Sequence, residues 1–144
     1  MEIIVYDKAK YHFDGDFPDG LSEHQACVHA GMFLAWLVEK DMLSAQLRTD
    51  FGGDLARCIK REAKPGETYS ILGGALVSDM LSTEGNAFAA AYFDFERGQY
   101  LKDYGKLLAS GLASIYHVED SWENYEKIKG RIQRRYEEWR QSKL

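Results

Sequence analysis

Besides its carboxylates, the sequence holds few side chains that could bind a metal or move a proton near neutral pH: four histidines, His12, His24, His29 and His117, and two cysteines, Cys27 and Cys58. Zinc held by one helix takes two ligands three or four residues apart, so that both point from one face. His24 and His29 are five apart and diverge by more than a quarter turn, and neither cysteine belongs to a Cys-x-x-Cys pair. A metal site would have to be assembled from distant segments, for instance His29, His117 and a carboxylate. Packed or surface histidines are the simpler reading, so no metal and no cofactor is expected.

His117-Val118-Glu119-Asp120 is the densest titratable run. A histidine beside carboxylates can be tuned toward neutral pH for acid–base work. Asp120, three residues before Glu123, also has a structural task as a helix cap. No Gly-x-Ser-x-Gly is present to place a serine nucleophile. Neither Gly52-Gly53 nor Gly73-Gly74 is followed by Gly-Lys-Ser/Thr or fits the dinucleotide fingerprint, which leaves close packing or a bend as their role. No catalytic residue is assigned, and a binding protein ranks ahead of an enzyme.

The elements that must position these residues are mostly helices. Glu2 to Tyr6 is β-branched and aromatic enough for a short strand, which Asp7 to Lys10 ends. Tyr11 to Gly20 mixes aromatics with turn formers and reads as an irregular loop, pinned by Phe13 and Phe17, with its aspartates in water. Ser22 and Gln25 form a capping-box pattern that opens a helix to about Lys40, with Ala26, His29, Phe33, Trp36 and Leu37 as its inner stripe. Gly31 within it implies a close helix crossing. Ser44 caps a second helix through Leu47, Phe51, Leu55, Cys58 and Ile59, weakened at Gly52-Gly53. Pro65-Gly66 reads as a turn before a third helix, 67–81, that bends or breaks at Gly73-Gly74. A fourth stretch runs from Ala87 to Leu108, divided at Gly98 and preceded by Ser82 or Thr83. Asp120 opens the last helix, whose stripe of Trp122, Tyr125, Ile128, Ile132, Tyr136 and Trp139 is the clearest amphipathic signal. The expected fold is mainly α, a compact bundle or array of five to six helices with a short N-terminal strand or hairpin, in a single domain over 1–144.

At 144 residues, 45% of them hydrophobic and 28% charged, the chain can build one sizeable core. Its net charge of -5 repels a polyanion, so nucleic acid is not an expected partner. No run approaches the roughly eighteen apolar residues of a membrane helix. Met1 to Tyr6 lacks the basic start and long apolar centre of a signal peptide. Cys27 and Cys58 read as buried free thiols, and a cytoplasmic location is expected. The charge is unevenly laid out. Residues 1–25 hold Glu2, Asp7, Asp14, Asp16, Asp19 and Glu23 against Lys8 and Lys10, net -4. From Glu126 onward Lys127, Lys129, Arg131, Arg134, Arg135, Arg140 and Lys143 stand against Glu126, Glu137 and Glu138, net +4. Such ends could attract each other or present two faces to partners.

Five blocks carry a family resemblance: Tyr6-Asp7, the run from Tyr11 to Pro18 (YHFDGDFP), that from His29 to Trp36 (HAGMFLAW), that from Thr83 to Phe88 (TEGNAF) and that from Tyr116 to Tyr125 (YHVEDSWENY). Together they resemble the signature of an uncharacterised bacterial domain family, a likeness that spans nearly the whole chain and implies no activity. In size and charge the chain is also similar to immunity proteins of secreted polymorphic toxin systems, which implies a protein partner such as a secreted toxin domain.

The leading reading is a non-enzymatic binding protein whose acidic face, Asp14, Asp16, Asp19 and Glu23, supplies charge while Tyr11 and Trp36 supply aromatic anchors. A second reading is a small-molecule binder or enzyme with a pocket near His29, Trp36, Tyr92, His117 and Glu119. A third is a structural or adaptor homo-oligomer; the state in solution is expected to be monomer or homodimer.

Overall fold

The structure, a computed structural model, describes residues 2–144. In chain order its elements are β1 (Val5–Lys8), α1 (Ala9–Phe13), α2 (Val28–Glu39), α3 (Ala45–Asp50), α4 (Gly52–Ile59), α5 (Pro65–Ile71), β2 (Ala75–Val77), α6 (Thr83–Phe88), α7 (Tyr100–Leu108) and α8 (Trp122–Gln141). Single 3-10 turns at Glu23–Cys27, Ser78–Met80 and Ile115–His117, and a π turn at Ala89–Phe93, link them. The fold is mainly α with a two-stranded antiparallel sheet, as the sequence pattern implies, but the helical stretches are cut into more and shorter pieces.

Helix α2 is the axis of the core. Every residue from Val28 to Val38 is buried, so the inner stripe read from the sequence is too narrow. A segment that is apolar on every side is stable when other elements wrap it on every side. Gly31 permits the closest of these contacts. A Cβ there would stand 2.7 Å from the Pro65 carbonyl oxygen and 2.8 Å from Gly66 Cα, so α2 and α5 cross almost backbone to backbone.

Two expectations about the middle of the chain are corrected. Pro65 does not sit in a turn: it is the first residue of α5, where its missing N–H leaves nothing unpaired. The stretch 67–81 breaks at Gly73 and Gly74 as its glycines imply, but it does not resume as α-helix: their φ angles of +110° and +67° suit glycine and turn the chain into β2. There Val77, Leu76 and Ala75 pair with Val5, Asp7 and Lys8, with an irregular register between Val5 and Asp7. The expected loop from Tyr11 likewise starts as the end of α1.

Helix starts follow the serines. Ser44, Ser82 and Ser121 accept the backbone N–H groups of Leu47, Gly85 and Asn124, each at 3.1 Å. Asp120 is therefore not the cap of α8. Ser22 accepts the His24 N–H, but Gln25 does not close the box; its side-chain amide donates instead to the Tyr116 and Val118 carbonyls, both at 2.8 Å. Along α8, Tyr125, Ile128, Ile132 and Tyr136 are buried, with Trp122 and Trp139 packed partly buried at either end of the stripe. Among the described residues no helix is long and apolar enough to cross a membrane.

Candidate functional site

The most unusual burial in this core is polar. Asp7 on β1 is 1% exposed, beside the irregular register that turns its side chain inward. Its Oδ2 accepts the Tyr69 hydroxyl at 2.5 Å, and its Oδ1 lies 2.6 Å from His12 Nε2. The other His12 nitrogen, Nδ1, is 2.7 Å from the Tyr116 hydroxyl. His29, from α2, brings Nε2 to 3.7 Å from Asp7 Oδ1, too far for a hydrogen bond, and among the described residues neither of its ring nitrogens has a hydrogen-bond partner. The two imidazoles meet edge to face, centroids 4.6 Å apart. Among the described residues no lysine or arginine reaches Asp7; its only basic neighbours are these two histidines.

Burial alone would raise the Asp7 carboxyl, but the hydrogen bond from His12, the approach of His29 and the Tyr69 hydroxyl outweigh it and hold the group far below the usual carboxylate range. Burial, and then the neighbouring Asp7, push the Tyr69 phenol far up; burial, Asp7 and Asp16 raise the Tyr116 phenol. Both tyrosines therefore keep their protons and serve as donors. Tyr116, His12 and Asp7 line up as hydroxyl, imidazole and carboxylate, yet this hydroxyl is made less acidic, the reverse of an activated nucleophile. The arrangement suits holding a charge in place more than transferring one.

The acidic segment is built directly onto this cluster. Phe17 packs against Phe13 and Tyr116, ring centroids 5.7 and 5.0 Å away. From that support Tyr11, Asp14, Asp16, Asp19 and Glu23 all stand exposed. Among the described residues none of the four carboxylates has an ion-pair partner, while Lys129, Arg131, Arg134 and Arg135 of α8 pair with Asp103, Glu39, Glu126 and Glu138. The oppositely charged ends of the chain thus do not neutralise each other. A cleft of about 730 Å³ borders the segment, lined by Lys8, Lys10, Phe13, Glu23, His24 and Cys27 among others.

A family described as a domain of unknown function, DUF7832, matches residues 5–118, which include the whole cluster and the acidic segment. The chain belongs to this family. No curated protein and no solved structure matches it.

The remaining residues singled out in the sequence, all but Glu119 within the matched DUF7832 region, go separate ways. Trp36 is 1% exposed, packed against Phe33, Phe88 and Tyr136 with its Nε1 donating to Gln133 Oε1 at 3.3 Å. Its expected role as an exposed anchor is corrected, because α2 has no outer face from which to present it. His29, Tyr92, His117 and Glu119 do not converge on one pocket. Tyr92 donates to Asp103 Oδ2 at 2.7 Å, His117 Nδ1 lies 2.9 Å from Ser114 Oγ, and Glu119 is exposed. Where His29 was weighed with His117 for a metal, the fold pairs it with His12 and Asp7. Asp7, Tyr69 and Tyr116 were missed as site residues. Their positions are scattered over three elements, so no spacing in the sequence links them; the one local sign was a carboxylate five residues before His12.

Proposed function

We propose that this DUF7832 domain is a protein-binding protein with no chemistry of its own, most concretely a bacterial immunity protein that neutralises a cognate toxin domain in the cytoplasm. The acidic segment would meet a basic surface on the toxin, steer the encounter and cover its active site. The observation that carries this reading is the set of four exposed, unpaired carboxylates, Asp14, Asp16, Asp19 and Glu23, beside the exposed Tyr11. Phe13 and Phe17 hold that set against the core, so little ordering is needed on binding. The likeness to immunity proteins in size and charge points the same way.

The test is protection. Cells expressing the toxin domain encoded beside this gene should survive when the wild-type chain is co-expressed and die when Asp14, Asp16 and Asp19 are all changed to lysine. Full protection by the triple variant would remove this surface, and a neighbouring gene without a toxin domain would remove the immunity assignment.

A further inference from the structure

We propose that Asp7, His12 and His29 form a binding site for one divalent transition-metal ion of the zinc class, beneath the acidic segment. One potential ligand atom from each of the three side chains lies within 4.8 Å of the others. Metal–nitrogen and metal–oxygen bonds of about 2.0–2.2 Å place neighbouring ligand atoms about 3.3 Å apart. That spacing falls between the 2.6 Å from His12 Nε2 to Asp7 Oδ1 and the 3.7 Å from His29 Nε2 to Asp7 Oδ1, so binding requires a small opening of the first pair and a small closure of the second. Two imidazoles and a carboxylate favour a first-row transition ion over magnesium or calcium, which prefer all-oxygen shells.

Three features separate this cluster from an ordinary buried hydrogen-bond network. First, His29 is 1% exposed and both its ring nitrogens lack partners, although a buried polar group left unpaired is costly. A metal bond at Nε2 supplies what no protein group does. Second, Asp7 is buried without a lysine or arginine counter-charge, which a cation would provide. Third, outer contacts of the kind a metal site uses are in place on two of the three ligands, Asp7 and His12. Tyr69 fixes the far oxygen of Asp7 at 2.5 Å, and Tyr116 sits 2.7 Å from His12 Nδ1, ready to accept its N–H once Nε2 turns its lone pair to the ion. The site would clip β1 and α1 to α2 and so fasten the base of the segment that begins at Tyr11. It does not depend on what that segment binds.

Zinc is the probe. Metal-stripped wild-type protein should take up one zinc per chain after dialysis, and its thermal midpoint should rise by about 5–10 °C at zinc a hundredfold above the dissociation constant. Cobalt should give visible d–d absorption. His12→Gln and His29→Ala should lose the ion and the thermal shift, whereas His24→Ala and His117→Ala keep both. His12→Gln changes the most accessible ligand, and far-ultraviolet circular dichroism of its metal-free form confirms that it folds. Wild-type protein that binds no zinc, or a folded His12→Gln that still takes up cobalt with the same spectrum, would overturn the site.

Discussion

Asp120 accepts the backbone N–H of Gly66 through Oδ1 at 2.8 Å, capping the first turn of α5 from 54 residues away in the chain. Its Oδ2 lies 2.8 Å from His24 Nε2. One carboxylate thereby joins the start of α5, the 3-10 turn at Glu23–Cys27 and the approach to α8, while Ser121 performs the local capping. Asp120→Ala should destabilise the fold by about 2 kcal/mol, because it leaves a buried N–H at a helix start without an acceptor. Asp120→Asn keeps an acceptor and should lose less. Urea unfolding of the two variants checks the order.

The α2–α5 crossing predicts opposite signs for two glycine-to-alanine changes. At Gly31 the added Cβ meets the backbone of Pro65 and Gly66 at 2.7–2.8 Å, and backbone cannot swing aside. A loss of about 1–3 kcal/mol is expected. Gly130 lies inside α8 with nothing within 4 Å of its added Cβ, so Gly130→Ala should stabilise by up to about 1 kcal/mol. Denaturant midpoints measured side by side separate crowding from helix propensity.

Asp103 ties α7 to α8 through Arg131 and Arg135 and accepts the Tyr92 hydroxyl. Burial would raise its carboxyl, but the Arg135 and Tyr92 hydrogen bonds and the charge of Arg135 outweigh this and hold it below its ordinary value. A carboxyl depressed in the native state contributes stability above its unfolded pKa of about 3.9 and loses it as pH falls through the native value. Asp103→Asn should therefore cost about 2 kcal/mol at pH 7, moderated because both arginines are partly exposed. The gap to wild type should close progressively below about pH 4. Unfolding free energies across pH 2–7 would show it.

The helical class was legible because its signals are local. The α8 stripe repeats at helical spacing, serines stand at the helix starts, and Gly31 marks a close crossing. Strand β2 was not legible: three residues carry no pattern, and Ala75–Val77 becomes a strand only because β1 lies alongside. The full burial of α2 was hidden for a related reason. Periodicity reports one face, whereas the number of elements that wrap a helix is decided by the whole chain. Exposure of the aspartates followed from loop chemistry, but burial of Trp36 did not follow from its type. The Asp7–His12–His29 cluster depends on contacts across three elements, so its residues were visible in the sequence and their meeting was not.

The most direct measurement of the central claim is the association rate of the purified toxin domain with wild-type protein and with the Asp14, Asp16 and Asp19 triple-lysine variant, at low and high salt. All three positions are exposed and unpaired, so the variant should keep its thermal midpoint to within a few degrees. If the acidic segment carries recognition, the wild-type rate should fall steeply with salt and the variant should associate at least tenfold more slowly at low salt. Equal rates for the two proteins, with no salt dependence in either, would contradict it.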